Sequence, residues 1–185
     1  MLTPHLGCFE LLGRYLGAQF PITLLYRPPK TIWLEPILRA GRMQDQASLA
    51  TTDTRGVRQL LKALKRGDVI GILPDQAPGA GEGVWADFFN RPAYTMTLIQ
   101  RLQQRTNAPI VVVYAERLKK DIGFKLHFRR VSTPLAENEV AAANQINAAM
   151  EQLIRECPSQ YLWSYNRYKI PSGARELAPT SDSVG

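Results

Sequence analysis

Residues 1–21 read MLTPHLGCFELLGRYLGAQFP, and the place of His5 in that stretch decides the fold class. From Phe9 onward, apolar groups recur at helical spacing as Phe9, Leu12, Leu16 and Phe20. Pro21 ends the helix, because proline has no N–H to continue the ladder. His5 therefore falls where a strand hands over to a helix, yet only MLTP precedes it. A buried strand runs to about five or six residues. The expectation is that the strand feeding this turn is cut short and that the chain is the C-terminal part of something longer.

Working outward, ITLLYRPP at 22–29 reads as a short strand stopped by two prolines. TIWLEPILRAGRM at 31–43 is helical in pattern, with Pro36 as a boundary or kink. Thr54 is placed as the N-cap of RGVRQLLKALKRG, with Val57, Leu60, Leu61 and Leu64 facing the core and Gly67 as the C-cap. DVIGILPD at 68–75 reads as a buried strand ending in an acid. Residues 76–93, QAPGAGEGVWADFFNRPA, read as a long Gly/Pro-rich loop of the kind that carries function. A helix is expected over 94–106, a strand over 109–116 with a hairpin partner at 124–131, and a last helix over 136–156. The tail 172–185 has little to bury and is expected to be disordered. Residues 1–171 thus form one domain without internal repeats: an α/β fold with a mixed central sheet flanked by helices.

The 185 residues suffice for one sizeable core. Lys and Arg number 23 against 16 Asp and Glu, a net charge of +7 that favours an anionic partner. Cys8 and Cys157 form no CxxC pair, and His5 and His127 are the only histidines, so neither a disulfide framework nor a multi-histidine metal site is indicated. No leader pattern and no apolar run long enough to span a bilayer appear in the chain. Read literally, it is soluble and cytoplasmic.

His5 and Glu10 form an H-x4-E pattern. Histidine is the natural general base near neutral pH, and it needs a partner that fixes its tautomer and stabilises the imidazolium. On a continuous helix five residues leave the two side chains about 140° apart. The pair works only if His5 lies in the turn before the helix and Glu10 in its first turns, where the helix dipole favours a carboxylate. Gly7 permits a tight turn or a close approach. Cys8 is a rival nucleophile, more commonly a small buried apolar residue. No GxSxG elbow is present, and His127 in FKLHFRRV reads as a strand-face residue.

HLGCFE, LLYRP at 24–28, ALKRGDVIGILPDQ at 63–76, VWADFFNRPAYTMT at 84–97 and YLWSYNRYK at 161–169 occur in an order that resembles the late acyltransferases of lipid A biosynthesis, relatives of the glycerolphosphate acyltransferases. The likeness runs from residue 3 to about 171 and implies a glycerolphosphate-acyltransferase-like fold. It implies transfer of a fatty acyl chain from acyl-carrier protein, or acyl-CoA, to a hydroxyl of a phosphorylated glycolipid at the cytoplasmic face of the inner membrane. No metal or other cofactor is implied. His5 would deprotonate the acceptor hydroxyl and Glu10 would hold and charge-balance His5. Arg42 first, and Arg27 second, would stabilise the oxyanion or bind phosphate. Asp75 and Gln76 would orient the loop or bind a sugar hydroxyl. Phe89, Arg91 and Thr95 match the FF-x-x-Pro-x-x-Thr pattern near the acyl and phosphate sites, and Arg167 would face headgroup or acceptor phosphate. Two departures stand out: Cys8 and Phe9 replace the Asn and Trp of HLGNWE, and the family's N-terminal membrane helix and first soluble segment are not in the sequence.

The basic composition admits a different class, a non-catalytic or degenerate domain that binds a membrane surface or nucleic acid. Only YNRYK at 165–169 hints at nucleic acid, and it coincides with the acyltransferase ending, so none is expected. Within the fold, the acceptor could also be another glycolipid or an aminolipid.

Overall fold

The computed structural model describes residues 1–28, 33, 35, 46–119 and 122–174. The helix expected over 31–43 and the tail beyond residue 174 lie outside the described residues, as does Arg42.

Helix α1 (Phe9–Gly17) follows the first segment and leads through a turn to strand β1 (Ile22–Tyr26). Strand β1 is flanked in parallel by β2 (Ala47–Thr51) and β3 (Val69–Gly71), with Ile22 opposite both Ala47 and Val69. Strand β2 has no counterpart in the sequence reading. Helix α2 (Thr54–Arg66) crosses between β2 and β3. Its cap is Asp53, one residue before the expected Thr54, and Asp53 Oδ1 accepts from the Gly56 N–H at 2.9 Å. That N–H bond, followed by one from Thr51, holds the Asp53 carboxyl below its ordinary range. Gly67 closes the helix in the left-handed conformation, φ 85°, as the sequence suggests.

The first seven residues run beside β3 and β6 (Val111–Arg117). Leu2 bridges in parallel to both Ile72 and Val112, and Gly7 bridges to Ala115. Backbone bonds from Leu2 to Val111 (2.8 Å) and from Thr3 to Ile72 (3.1 Å) join the three-stranded sheet to the hairpin of β6 and β7 (Phe124–Arg130). Gly7 is required there. It has φ 62°, and a Cβ would collide with the Ala115 carbonyl. The close approach that glycine allows is thus to a neighbouring strand.

Strand β6 is buried on both sides. Val112 and Tyr114 face one cluster with Leu60 of α2, Ile99 of α3 (Leu98–Thr106) and Met150 of α4 (Glu139–Glu156). Val113 and Ala115 face a smaller cluster with Leu12 and Leu16 of α1. Helices therefore cover both faces of a mixed sheet, which is the layered α/β arrangement that the alternation of elements predicts.

One expectation fails. Residues 76–93 are not a single loop, because β4 (Gly83–Phe88) and β5 (Arg91–Met96) form an antiparallel hairpin, and helix α3 begins only after it. Its two-residue turn puts Phe89 at φ 49° and Asn90 at φ 59°, the conformation that suits a tight hairpin. Asn tolerates that region, whereas Phe does so at a cost. Glu151 of α4 accepts the Phe89 N–H at 2.8 Å, and the Arg155 guanidinium lies 4.9 Å from the Phe89 ring centre. Tertiary contacts thus hold a turn whose composition reads as irregular.

Candidate active site

Parallel register places the two key side chains. Leu2 and Ile72 are paired, and three residues further along each strand stand His5 and Asp75. Both lie beyond the carboxyl ends of parallel strands, where open α/β sheets commonly hold their ligands. His5 Nδ1 is 2.8 Å from Asp75 Oδ1, and the His5 backbone N–H donates to Asp75 Oδ2, also at 2.8 Å. The Asp75 side chain is 2% exposed and that of His5 15%. An ionised carboxylate only accepts, so Nδ1 carries the proton and Nε2 keeps its lone pair. Nε2 is 3.1 Å from the Gln76 side-chain amide nitrogen, which donates to it. The Phe9 ring packs edge-on to the imidazole at 4.8 Å.

The carboxylate that His5 Nδ1 meets is Asp75, where the H-x4-E pattern names Glu10. Glu10 lies in the first turn of α1 and lines the same groove as His5. The groove has a volume of about 760 Å³. Leu12, Leu24, Leu49, Leu61 and Leu98 give it apolar walls, and Arg27 stands along it beyond the end of β1. Among the described residues no three His, Cys, Asp or Glu side chains converge as metal ligands.

The segment 161–167 adds a further layer, of which the sequence reading names Arg167 alone as a site residue. Burial, then the Asp75 charge, pushes the Tyr161 phenol up. Tyr165 Oη accepts the Ala77 N–H at 2.9 Å, which ties down the loop that carries Asp75 and Gln76. Arg167 is 3% exposed. It donates through Nη1 to the Tyr94 carbonyl and through Nη2 to Thr95 Oγ1, both at 2.7 Å. All three residues lie in YLWSYNRYK, but nothing in their local spacing reveals which partners they meet.

The other expected ligand residues divide. Gln76 touches His5 and lines the groove. Asp75, expected to orient the loop or bind a sugar hydroxyl, has both oxygens engaged by His5. Thr95 is fully buried, its hydroxyl donating to the Ala93 carbonyl and accepting from Arg167, which is buried as well. Phe89 and Arg91 are outside the groove: Phe89 packs on Phe88 and Trp163, and the Arg91 guanidinium covers the Tyr168 ring at 4.2 Å. Cys8 precedes α1 with its N–H donating to the Ala115 carbonyl, and its thiol is free.

Residues 1–170 match the family described as bacterial lipid A biosynthesis acyltransferase. A lipid A biosynthesis palmitoleoyltransferase of Escherichia coli (strain K12) is 29% identical over 178 residues, covering 94% of this chain and 56% of the relative. A lipid A biosynthesis lauroyltransferase of the same organism is 29% identical over 173 residues, covering 91% and 56%. A lipid A biosynthesis acyltransferase of Haemophilus influenzae (strain ATCC 51907 / DSM 11121 / KW20 / Rd) is 22% identical over 170 residues, covering 88% and 51%. The chain spans about half the length of the curated relatives it matches.

Proposed function

The chain belongs to the bacterial lipid A biosynthesis acyltransferase family, and from that premise we propose that His5 is the general base of an acyl transfer from acyl-carrier protein to a hydroxyl of a lipid A precursor. The single observation that carries this reading is the His5–Asp75 pair at the groove, with Nδ1 on a buried carboxylate and Nε2 turned to Gln76. The acceptor hydroxyl replaces the Gln76 amide at Nε2 and gives up its proton there. Its oxygen attacks the thioester carbonyl, the imidazolium is balanced by Asp75, and the proton passes on to the departing thiolate. No acyl-enzyme forms, so Cys8 has no part in the chemistry.

Glu10, on the same groove wall, is the second acid of the reading. A carboxylate near the imidazole favours its protonated form. Arg27 is the described candidate for the oxyanion or an acceptor phosphate. The apolar walls suit an acyl chain, and the net charge of +7 suits an acidic carrier protein and an anionic membrane. The reading includes a glycerolphosphate-acyltransferase-like fold and work at the cytoplasmic face of the inner membrane. Among the described residues no helix is long and apolar enough to cross a membrane.

The test is an acyl-transfer assay on membranes carrying the protein or its His5→Ala form, with acyl-carrier-protein thioester and a lipid A precursor. Transfer that disappears with His5→Ala is the expected result. Transfer that survives it overturns the base assignment, and no transfer to this acceptor overturns the acceptor class.

A further inference from the structure

The end of the sheet at which His5 stands carries exposed apolar side chains from two separate parts of the chain. Strand β6 runs parallel to the first segment, with Gly7 bridging to Ala115, so its carboxyl end at Arg117 lies on the His5 side. The β6–β7 turn projects from that end, where Arg117 is paired with Phe124. Ile122 in the turn is 75% exposed, and Phe124 is exposed as well. The second part is the segment that follows α4. The Leu162 N–H donates to the His5 carbonyl at 3.0 Å, and Leu162 and Trp163 both stand open to solvent, Trp163 at 58%. Gln160 ties the two parts together. Its side chain accepts the Arg117 N–H and donates to the Arg117 carbonyl, both at 2.9 Å, while its own carbonyl accepts the Gly7 N–H at 3.0 Å.

Large apolar groups left in water at one end of a molecule point to a partner. Charge narrows the choice. Residues 117–125, RLKKDIGFK, carry four cations and one acid, and Arg117, Lys119 and Lys125 are exposed. The Arg117 guanidinium lies 5.6 Å from the Phe124 ring centre, so cation and apolar surface are interleaved. Glu116, opposite Lys125 in the hairpin, is paired with His127, and Glu156 with Arg129. Trp163 narrows it further. Its Nε1 donates to the Pro158 carbonyl at 2.7 Å, and its ring packs edge-on to Tyr161 at 4.8 Å. The polar group of the indole is satisfied within the chain, so the exposed ring can enter hydrocarbon without stranding a donor. Aromatic and aliphatic tips among Lys and Arg suit a lipid interface, where the tips pass below the headgroups and the cations stay at the phosphates.

We propose that this rim, formed by Leu162 and Trp163 of the terminal segment and Ile122 and Phe124 of the β6–β7 turn, is the surface on which the protein rests on an anionic lipid bilayer. The His5 end of the groove then meets the lipid without a further movement of the chain. The proposal rests on the reading of the acceptor as a membrane lipid, but the contact itself needs no turnover.

The experiment measures co-sedimentation of the chain with vesicles of phosphatidylethanolamine and phosphatidylglycerol, and with vesicles of phosphatidylcholine alone. Binding is expected to the first and to weaken as salt is raised. It should fall about tenfold or more in the double variant Ile122→Ser/Phe124→Ser, and about tenfold in Lys119→Glu. Val140→Ser removes an exposed apolar group at the opposite end of α4 and should leave binding as it is. A second measurement keeps the native rim: brominated acyl chains should quench the fluorescence of the native protein more than that of Trp163→Phe. Equal binding to phosphatidylcholine overturns the proposal. So do rim variants that bind like the native chain, or quenching that Trp163→Phe leaves unchanged. If the double variant instead weakens a dimer or the binding of acyl-carrier protein and spares the vesicles, the surface belongs to a protein partner and the proposal falls. Vesicle binding that behaves as expected in a protein with no transfer to a lipid A precursor breaks the acyltransferase reading alone. Transfer to a detergent-dispersed precursor without vesicle binding breaks the surface assignment alone.

Discussion

Both histidines of the chain sit against a carboxylate at nearly the same distance, His5 Nδ1 at 2.8 Å from Asp75 and His127 Nε2 at 2.9 Å from Glu116. The surroundings differ. Asp75 is 2% exposed and accepts the His5 backbone N–H as well as the ring N–H. Glu116 is 32% exposed, on a two-stranded hairpin whose partner β7 is mostly open to solvent. His127 lies flat on Tyr114 at 4.3 Å, and its contact with Glu116 stays within the hairpin. A histidine–carboxylate distance therefore does not define a site. What distinguishes His5 is a buried carboxylate on one ring nitrogen and, on the other, the Gln76 amide at the wall of a groove.

The largest effect should come from exchanging alanine for each histidine in turn. His5→Ala is expected to lower acyl transfer by about 10²–10⁴-fold, the usual worth of a general base. His127→Ala should leave it within about twofold, as for an exposed side chain away from the chemistry. Equal losses in a kinetic assay of the two folded variants would erase the distinction.

The carboxylates sharpen it next. In Asp75→Asn the amide can present an N–H to Nδ1, moving the ring proton to Nε2 and abolishing the base, for a loss on the order of 10²–10⁴-fold in kcat. Glu116→Gln on the hairpin should be nearly silent. An active Asp75→Asn enzyme with normal kcat would mean that Glu10 supports His5 after all.

Gln76→Ala should change turnover by less, within about tenfold, because the substrate hydroxyl must displace that amide in any case. Its clearer effect is on access: removing the amide should speed acylation of His5 by diethyl pyrocarbonate, measured by absorbance, with His127 reacting as before.

The smallest effect concerns the hairpin's stability. Burial, followed by the Glu156 charge, pushes the Tyr114 hydroxyl up to about 12 from an ordinary value of 10. Between these values the folded protein keeps a proton that the unfolded chain has released. Stability should therefore fall as pH rises from about 10 to 12, by on the order of 1 kcal/mol per pH unit. Tyr114→Phe should flatten that part of a denaturation-versus-pH curve, and an unchanged slope would argue against the shift.

Much of the scaffold was legible because it is local. The helix starting at Phe9, the left-handed Gly67 cap and the β6–β7 hairpin each rest on contacts within a few residues or between chain neighbours. The β4–β5 hairpin was hidden by its Gly- and Pro-rich entry and by a turn built from Phe89 and Asn90 without glycine. Strand β2, ASLAT, is short and made mostly of small residues, so only its pairing with β1 reveals it.

The sequence by itself determined that His5 stands at a strand-to-helix junction and that a strand elsewhere ends in Asp75. That these two meet across 70 residues was decided by the parallel register of Leu2 with Ile72. Parallel partners are joined by long crossovers, so no local spacing records which residues will face each other. The same holds for Arg167. Its place in YNRYK marks a charged residue near the end of the fold, but only packing of that segment against Tyr94 and Thr95 removes the charge from water.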